Sequence, residues 1–412
     1  MMFWLRFSWL NLLRNRRRAF FTISAIALAY LSINLLSGFM LYVFRGLEDT
    51  YVYAFEGGHL TVSPAHMEAG QDATFFGAEE LAAILDLLDS QEEVLLATPR
   101  IQLTGLLSNG TESTIMMAEA RDAQDGRRIR SEGRGLIREL QLYEGADLAD
   151  AGPYEIGVSY GMAERLSVGL GGDVIAMSNT VDGYMNALDA KVVQLQDAPL
   201  EVLDAVLVTM PMGFARELLD ADGAGKVVVL LRRGASLGAM EDRVAQLLAS
   251  AGYSVRVENW KDLRVSYHRI RNMFQVIFSF VFVIVLLIVV LSVVNTVGMA
   301  VMERIRETGT LRAMGLKPAG VVRLFALESM WMASMGCVSG LVAYGLVWSA
   351  VQWWRPTWIP PNIPKRVPWE ISLAPGVLAG SAMVLVLLAI LAAWFPARKA
   401  ARMAIPDALT HN

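Results

Sequence analysis

The chain has 412 residues, 54% hydrophobic and 18% charged, with a mean hydropathy of +0.41. That is more apolar and less charged than an average soluble domain, at about 45–50% and about 25%, which argues against an ordinary soluble enzyme. The net charge of −4 gives no overall basic field for nucleic acid, and the single Cys337 excludes a disulfide framework or a cysteine-based metal cluster.

Residues 1–18 carry five arginines and no acid, and are expected to form a cytoplasmic interfacial helix. Charge-free runs follow at 19–44, 272–302, 329–354 and 371–397. Each exceeds the roughly 20 residues needed to cross about 30 Å of hydrocarbon, so four transmembrane helices are expected, the third over 324–354. The first run is too long for a signal-peptide core and ends in Tyr42-Val43-Phe44-Arg45 without a cleavage pattern. Lys and Arg dominate 1–18, the connector 303–323 and the tail 398–412, whereas 45–271 holds 20 basic and 35 acidic residues. The positive-inside rule then places both termini and the connector in the cytoplasm and 45–271 outside.

Residues 45–271 read as an α+β domain inserted between the first two spans. Alternating runs at 101–107 and 114–118 flank the turn signal Ser108-Asn109-Gly110. Further strands are expected at 174–177, 192–195, 206–208 and 227–231, and helices at 79–88, 161–166, 213–219 and 237–251. Residues 258–271 lack proline and glycine. They predict a stalk helix, with Asp262, Ser266 and Arg269, that continues into the second span; residues 50–56 are its counterpart after the first. Arg127, Arg128, Arg130 and Arg134, interleaved with Asp122, Asp125 and Glu132, read as a solvated polar face. In the loop 355–370 and its flanks, Trp353, Trp354, Trp358 and Trp369 alternate with five prolines. Two readings stay open for these indoles: an interfacial anchor, or a lip that contacts an amphiphilic substrate.

No catalytic constellation emerges. Gly157-Val158-Ser159-Tyr160-Gly161 and Gly234-Ala235-Ser236-Leu237-Gly238 match a nucleophile elbow, yet the downstream histidines, His268 and His411, fall at the membrane edge and in the tail. Gly225-Lys226 lacks the rest of a P-loop, and His59, His66, His268 and His411 show no metal-ligand spacing. The expectation is no catalytic, cofactor-binding or metal residue in this chain.

The connector is the most informative segment. Glu303-Arg304-Ile305-Arg306-Glu307 suits the water boundary, Thr308-Gly309 predicts a bend, and Thr310 to Met314 predicts a helical turn. Gly315 then supplies a left-handed cap, and Pro318 opens the next helix. Glu303-Arg304-x-Arg306-Glu307-x-Gly309-Thr310-Leu311-Arg312-Ala313-x-Gly315 resembles the signature of the FtsX/MacB/LolC-LolE family of ABC-transporter permeases, the type VII or mechanotransmission class. Asn11-Leu12-Leu13-Arg14-Asn15 resembles the family's start, and Pro396-Ala397-Arg398-Lys399-Ala400-Ala401-Arg402 with Pro406, Ala408 and Leu409 its tail. Asn109-Gly110, Glu144-Gly145-x-Asp147-Leu148 and Gly172-Asp173 resemble its MacB-like periplasmic core.

The resemblance implies a dimeric permease of a bacterial inner membrane, pairing with a second copy or a homologous permease. It also implies two copies of a separate ATP-binding subunit, which hold the ATP and Mg and dock on Glu303, Arg304, Arg306, Glu307, Gly309, Thr310, Leu311, Arg312, Ala313 and Gly315. A periplasmic carrier or adaptor is a further implied partner. The expected function is export or extraction of a lipoprotein, lipid or other amphiphile; the alternative is an FtsX-like scaffold that activates an outside enzyme and transports nothing.

Overall fold

Hydrocarbon offers the backbone no hydrogen-bond partner, so an apolar run that enters it bonds to itself as a helix. Among the described residues, four helices are long and apolar enough to cross a membrane: Arg16–Glu48, Val265–Glu303, Pro318–Trp354 and Pro375–Ala401. The computed structural model describes residues 8, 11, 16–65, 75–133, 143–198, 203–263, 265–358 and 367–403. Most of the expected interfacial helix over 1–18 lies outside these residues, as do Arg134, Pro406, Ala408 and Leu409. The helices are offset from the expected windows. Residues 272–302 form the inner part of a 39-residue helix. The third helix begins at Pro318, where a missing N–H costs nothing. The fourth runs from Pro375 to Ala401 instead of 371–397.

In the membrane unit, Ile26, Tyr30 and Ile33 pack with Val289, Val293, Phe325, Ala333, Leu385 and Ala389. Lipid tails are as apolar as leucine, so close backbone approach and polar pairs decide which faces meet. A Cβ on Gly336 would stand 2.7 Å from Ile26 Cβ, and one on Gly340 2.7 Å from the Ala27 carbonyl oxygen. Thr22 and Thr296 share a hydroxyl hydrogen bond of 2.5 Å, and Asn34 donates to Ser381 Oγ at 3.0 Å. Phe280, Leu287, Leu346 and Leu391 are more than half exposed and suit lipid contact.

The second unit comprises residues 45–269 with 357–368. Strand β1 (Leu60–Pro64), a helix (Ala78–Asp89) and β2 (Val94–Ser108) open it. Strands β3 (Ser113–Arg121), β4 (Tyr143–Gly145), β5 (Glu155–Ser159), β6 (Asp173–Asn179), β7 (Met185–Gln196) and β8 (Leu207–Pro211) follow. Strand β9 (Lys226–Leu231), a helix (Leu237–Ser250) and β10 (Val255–Asn259) close it. The order β10-β1-β9-β2 is antiparallel throughout, which makes two β-α-β arms of a ferredoxin-like arrangement with β3–β8 inserted between them. Strand β2 is 15 residues long and serves both parts: its first half pairs with β9, and from its second half the pairings β2-β3-β8-β5-β7-β6 return to β2.

The β2–β3 turn forms where the sequence signals it, because Asn109 Oδ1 accepts the N–H groups of Thr111 and Glu112 at 2.9 and 2.7 Å. The apolar sheet face, with Leu60, Val62, Ile101 and Val229, buries Leu81, Ile84, Leu88, Val244 and Leu248 of the two flanking helices. Glu258 and Asn259, expected in the stalk helix, are instead the end of β10, because they complete a ladder with Leu60 and Thr61. Residues 357–358 and 367–368 pair as a short two-stranded ladder, so the proline-rich loop has local sheet structure at its ends; Pro360, Pro361 and Pro364 lie outside the described residues.

His59 precedes β1 and accepts the Leu231 N–H at Nδ1, 3.1 Å away. Burial lowers its pKa from 6.5 to about 4. The unfolded chain binds the extra proton between those values, so this contribution is complete above about pH 6.5 and fades as pH falls toward 4. Relative to His59→Asn, which keeps an acceptor without the titration, the wild-type domain should lose up to about 3 kcal/mol over that window. Denaturant midpoints at pH 7.5 and 4.5 check this.

Candidate functional site

The connector between the second and third apolar helices is a helix over Ile305–Ala313. It runs unbroken through Thr308 and Gly309, where a bend was expected. The interruption falls at Arg304, whose φ of −112° and ψ of 19° leave the helical region. Arg304 is buried, donating to Glu328 Oε1 at 2.9 Å and to the Asn11 carbonyl at 3.1 Å. Both side chains of the Arg304–Glu328 pair are 8% exposed. Turning the chain here keeps a guanidinium and a carboxylate paired, since neither tolerates an apolar site alone. Arg304 is therefore an internal brace and not a surface contact.

The other residues of the motif divide by exposure. Ile305 and Gly309 are buried; Leu311 and Arg312 are half-buried, and Arg312 donates to the Met403 carbonyl, tying the connector to the end of the fourth helix. Glu303 pairs with Arg18. Arg306, Glu307, Thr310, Ala313 and Gly315 are exposed. Gly315 has φ +98°, the left-handed geometry expected of it, and the N–H groups of Gly315 and Leu316 return to Arg312 and Leu311. Two residues of this site were not singled out from the sequence. Glu328 is a lone acid at the start of an apolar run, a pattern that marks a paired group. Met314 is 72% exposed at the connector's end.

The second stalk starts later than expected. After β10, Asn259 Oδ1 accepts the N–H groups of Lys261 and Asp262 at 3.0 and 3.1 Å, opening a short helix over Trp260–Leu263. Asp262 bonds Asn259 Nδ2 at 2.6 Å and His268 Nε2 at 3.1 Å. The long helix begins at Val265, with Tyr267 against Trp260 at 4.9 Å between ring centroids. Ser266 thus lies in a first turn and Arg269, exposed, in the second. Trp353 and Trp354 are 91% and 82% exposed at the end of the third helix, Trp358 is half-buried, and Trp369 packs edge-on against Phe39.

At the first stalk, the basic cluster is a solvated face only in part: Arg128 is exposed and Arg127 partly so, whereas Arg130 turns inward. Arg130 bonds Glu56 and Asp147, and Arg127 bonds Asp147 and Asp150. Burial works against the Arg130 charge, but Glu56 and Asp147 outweigh it and raise its pKa. Burial likewise opposes ionised Asp147, yet the Ala149 N–H and Arg130 hold its pKa below the ordinary value. Ser159, from the first elbow-like match, is buried and donates to the carbonyls of Asp204 and Leu207 at 2.6 and 3.1 Å, a structural role.

Two outcomes follow. Glu328→Leu leaves Arg304 buried without a counter-charge and should cost about 3–5 kcal/mol, while Arg304→Met with Glu328→Leu recovers most of the loss; thermal stability of the purified protein in nanodiscs reads both. Ser266→Pro should be tolerated in the first helical turn, whereas Arg269→Pro should cost roughly 3 kcal/mol by removing an interior bond, measured as loss of amide protection over residues 265–275.

Residues 279–405 match the family model described as FtsX-like permease C-terminal. The ABC transporter permease YtrF of Bacillus subtilis is 42% identical over 53 residues, 13% of this chain and 12% of that protein. The macrolide export ATP-binding/permease protein MacB of Escherichia coli K12 is 29% identical over 119 residues, 29% of this chain and 17% of MacB. The chain therefore spans under a fifth of these relatives' lengths. Among solved structures, the periplasmic region of MacB from Actinobacillus actinomycetemcomitans aligns with 56% of this chain and 97% of that one, at 13% identity and a TM-score of 0.37. The extracellular domain of YknZ from Gram-positive bacteria aligns with 49% and 98%, at 16% identity and a TM-score of 0.33. The match to the FtsX-like permease C-terminal model thus takes in the connector, the third and fourth apolar helices and most of the second.

Proposed function

We propose that this chain is the permease subunit of an ATP-driven complex of a bacterial inner membrane, in which two copies of a separate ATP-binding subunit dock on the connector helix. The ATP and Mg sit on that partner. A second permease copy or a homologous permease completes the membrane part, both termini are cytoplasmic, and residues 45–271 are periplasmic. Hydrolysis displaces the connector, the long helices carry the displacement outward, and the outer domain moves to expel or extract a lipoprotein, lipid or other amphiphile, with a periplasmic carrier or adaptor receiving it. The exposed Trp353 and Trp354 suit a lip for such a cargo.

The observation that carries this reading is the mounting of Ile305–Ala313. It is a short helix between two membrane-length helices, braced by a buried ion pair at Arg304 and by the Arg312 tie to Met403. A helix held at both ends moves with its neighbours when pushed. Its outward residues supply mixed charge and, with Ala313, the large apolar side chain of Met314 as a docking patch. The alternative, a scaffold that activates a periplasmic enzyme without transport, uses the same motion. Stimulation of ATP hydrolysis by an amphiphile in reconstituted vesicles supports transport over signalling.

Met314→Asp puts a charge on the exposed apolar contact and should weaken ATP-binding-subunit association by about 2 kcal/mol or more, a typical loss at a central interface residue. Leu311→Asp, half-buried, should also unseat the helix. Co-purification from membranes reads both, and full association of the Met314 variant counts against this docking surface. A reporter near Asp150 should be outside and one near Lys317 inside; the reverse overturns the arrangement.

A further inference from the structure

The first apolar helix does not stop at Glu48. It winds on as a π turn over Asp49–Ala54, and from Arg45 onward it belongs to the same compact unit as the sheet. Single π turns mark functional sites more often than plain ones. The N–H groups of Gly57 and Gly58 return to Tyr51 and Val52 and end the turn, and β1 follows. Between them stands Glu56 with φ +55°, left-handed geometry that a glutamate adopts only under constraint from its surroundings.

Those surroundings are three guanidiniums. Glu56 is 2% exposed, and its Oε2 lies 3.0 Å from Arg121 Nη1 and 3.4 Å from Arg100 Nη2, while Oε1 pairs with Arg130. Arg100 also donates to the Glu56 carbonyl at 3.3 Å. The partners come from β2, β3 and the helix Ala123–Glu132. That helix reaches the carboxylate through Gly126, where a Cβ would stand 2.3 Å from Oε2. Burying such a network is not required for stability, since apolar replacements often fold as well. What a carboxylate contacted from three sides, by one guanidinium nitrogen each, adds is a fixed position in three dimensions.

We propose that Glu56 is the joint that fastens the end of the first stalk to the outer sheet and passes the stalk's displacement to β2 and β3. Glu56 acts as a positioning residue, and the transmission part of the proposal rests on the ATP-driven reading above. The pairing of β1 with β10 roots both stalks in neighbouring strands, Leu60 facing Asn259. The Glu56 cluster adds a second, lateral attachment on the first stalk's side.

The test is hydrogen exchange on the full chain in nanodiscs, alone and with its ATP-binding subunit, with and without ATP and vanadate. Glu56→Gln removes the charge and keeps the shape. Amides of residues 49–58 should exchange about tenfold faster or more, as expected for losing charge-assisted bonds, while β2, β3 and β8 stay within about twofold. The nucleotide-dependent change in the outer domain should vanish with ATP hydrolysis intact. If Glu56→Gln does not fold, Arg121→Gln should give a smaller rise over the same residues. Unchanged exchange at 49–58, a uniform rise over the whole domain, or a persisting nucleotide response overturns the joint. Should wild-type protein show no nucleotide response, the ATP-driven reading falls and transmission with it, whereas the fastening role stands or falls on the exchange at 49–58.

Discussion

The arrangement depends on one pairing, that of β1 with β10. The chain enters the sheet-bearing unit by the end of one long helix and leaves it by the start of another. Those two points are hydrogen-bonded neighbours, with Leu60 opposite Asn259 and the Trp260 N–H donating to the His59 carbonyl at 3.0 Å. Antiparallel neighbours share every ladder bond, so neither strand shifts along its axis without breaking several at once. The two ends of the 45–269 segment thereby meet in one pair of neighbouring strands.

The insertion within the insertion obeys the same logic. Strands β1, β2, β9 and β10 with two helices make a complete ferredoxin-like layer, and the extra strands leave and rejoin it through β2 and β9. Because β2 extends past its partner β9, its outer half is free to pair with β6 and close a second set of strands. The same strand thus carries both sets of pairings without a loop between them.

Among the described residues, two buried clusters pair their charges. Arg304 with Glu328 braces the connector, and Glu56 with Arg100, Arg121 and Arg130 closes the foot of the first stalk. Both clusters sit where a helix stops being straight, at the Arg304 interruption and after the π turn. Fixed multidentate geometry at a break keeps the following element in place where continuous backbone bonding no longer does.

The sequence by itself determined the four long apolar helices seen among the described residues, the α+β character of the insertion, the β2–β3 hairpin and the left-handed Gly315. Each is written in local chemistry: charge-free length, alternation, an Asn-Gly turn and a glycine after a helical turn. Where the second stalk begins was decided by tertiary structure. Residues 258–263 have helical composition, yet Glu258 and Asn259 gain more by completing a ladder with β1. The roles of Arg304 and Arg130 were equally hidden, because an arginine beside other charges looks solvated until the fold brings Glu328, 24 residues away, or Glu56, 74 residues away, against it. Local pattern reports what a residue can pair with. Only the packed chain decides which partner shares its burial, since the cost of desolvating a charge depends on every element that closes over it.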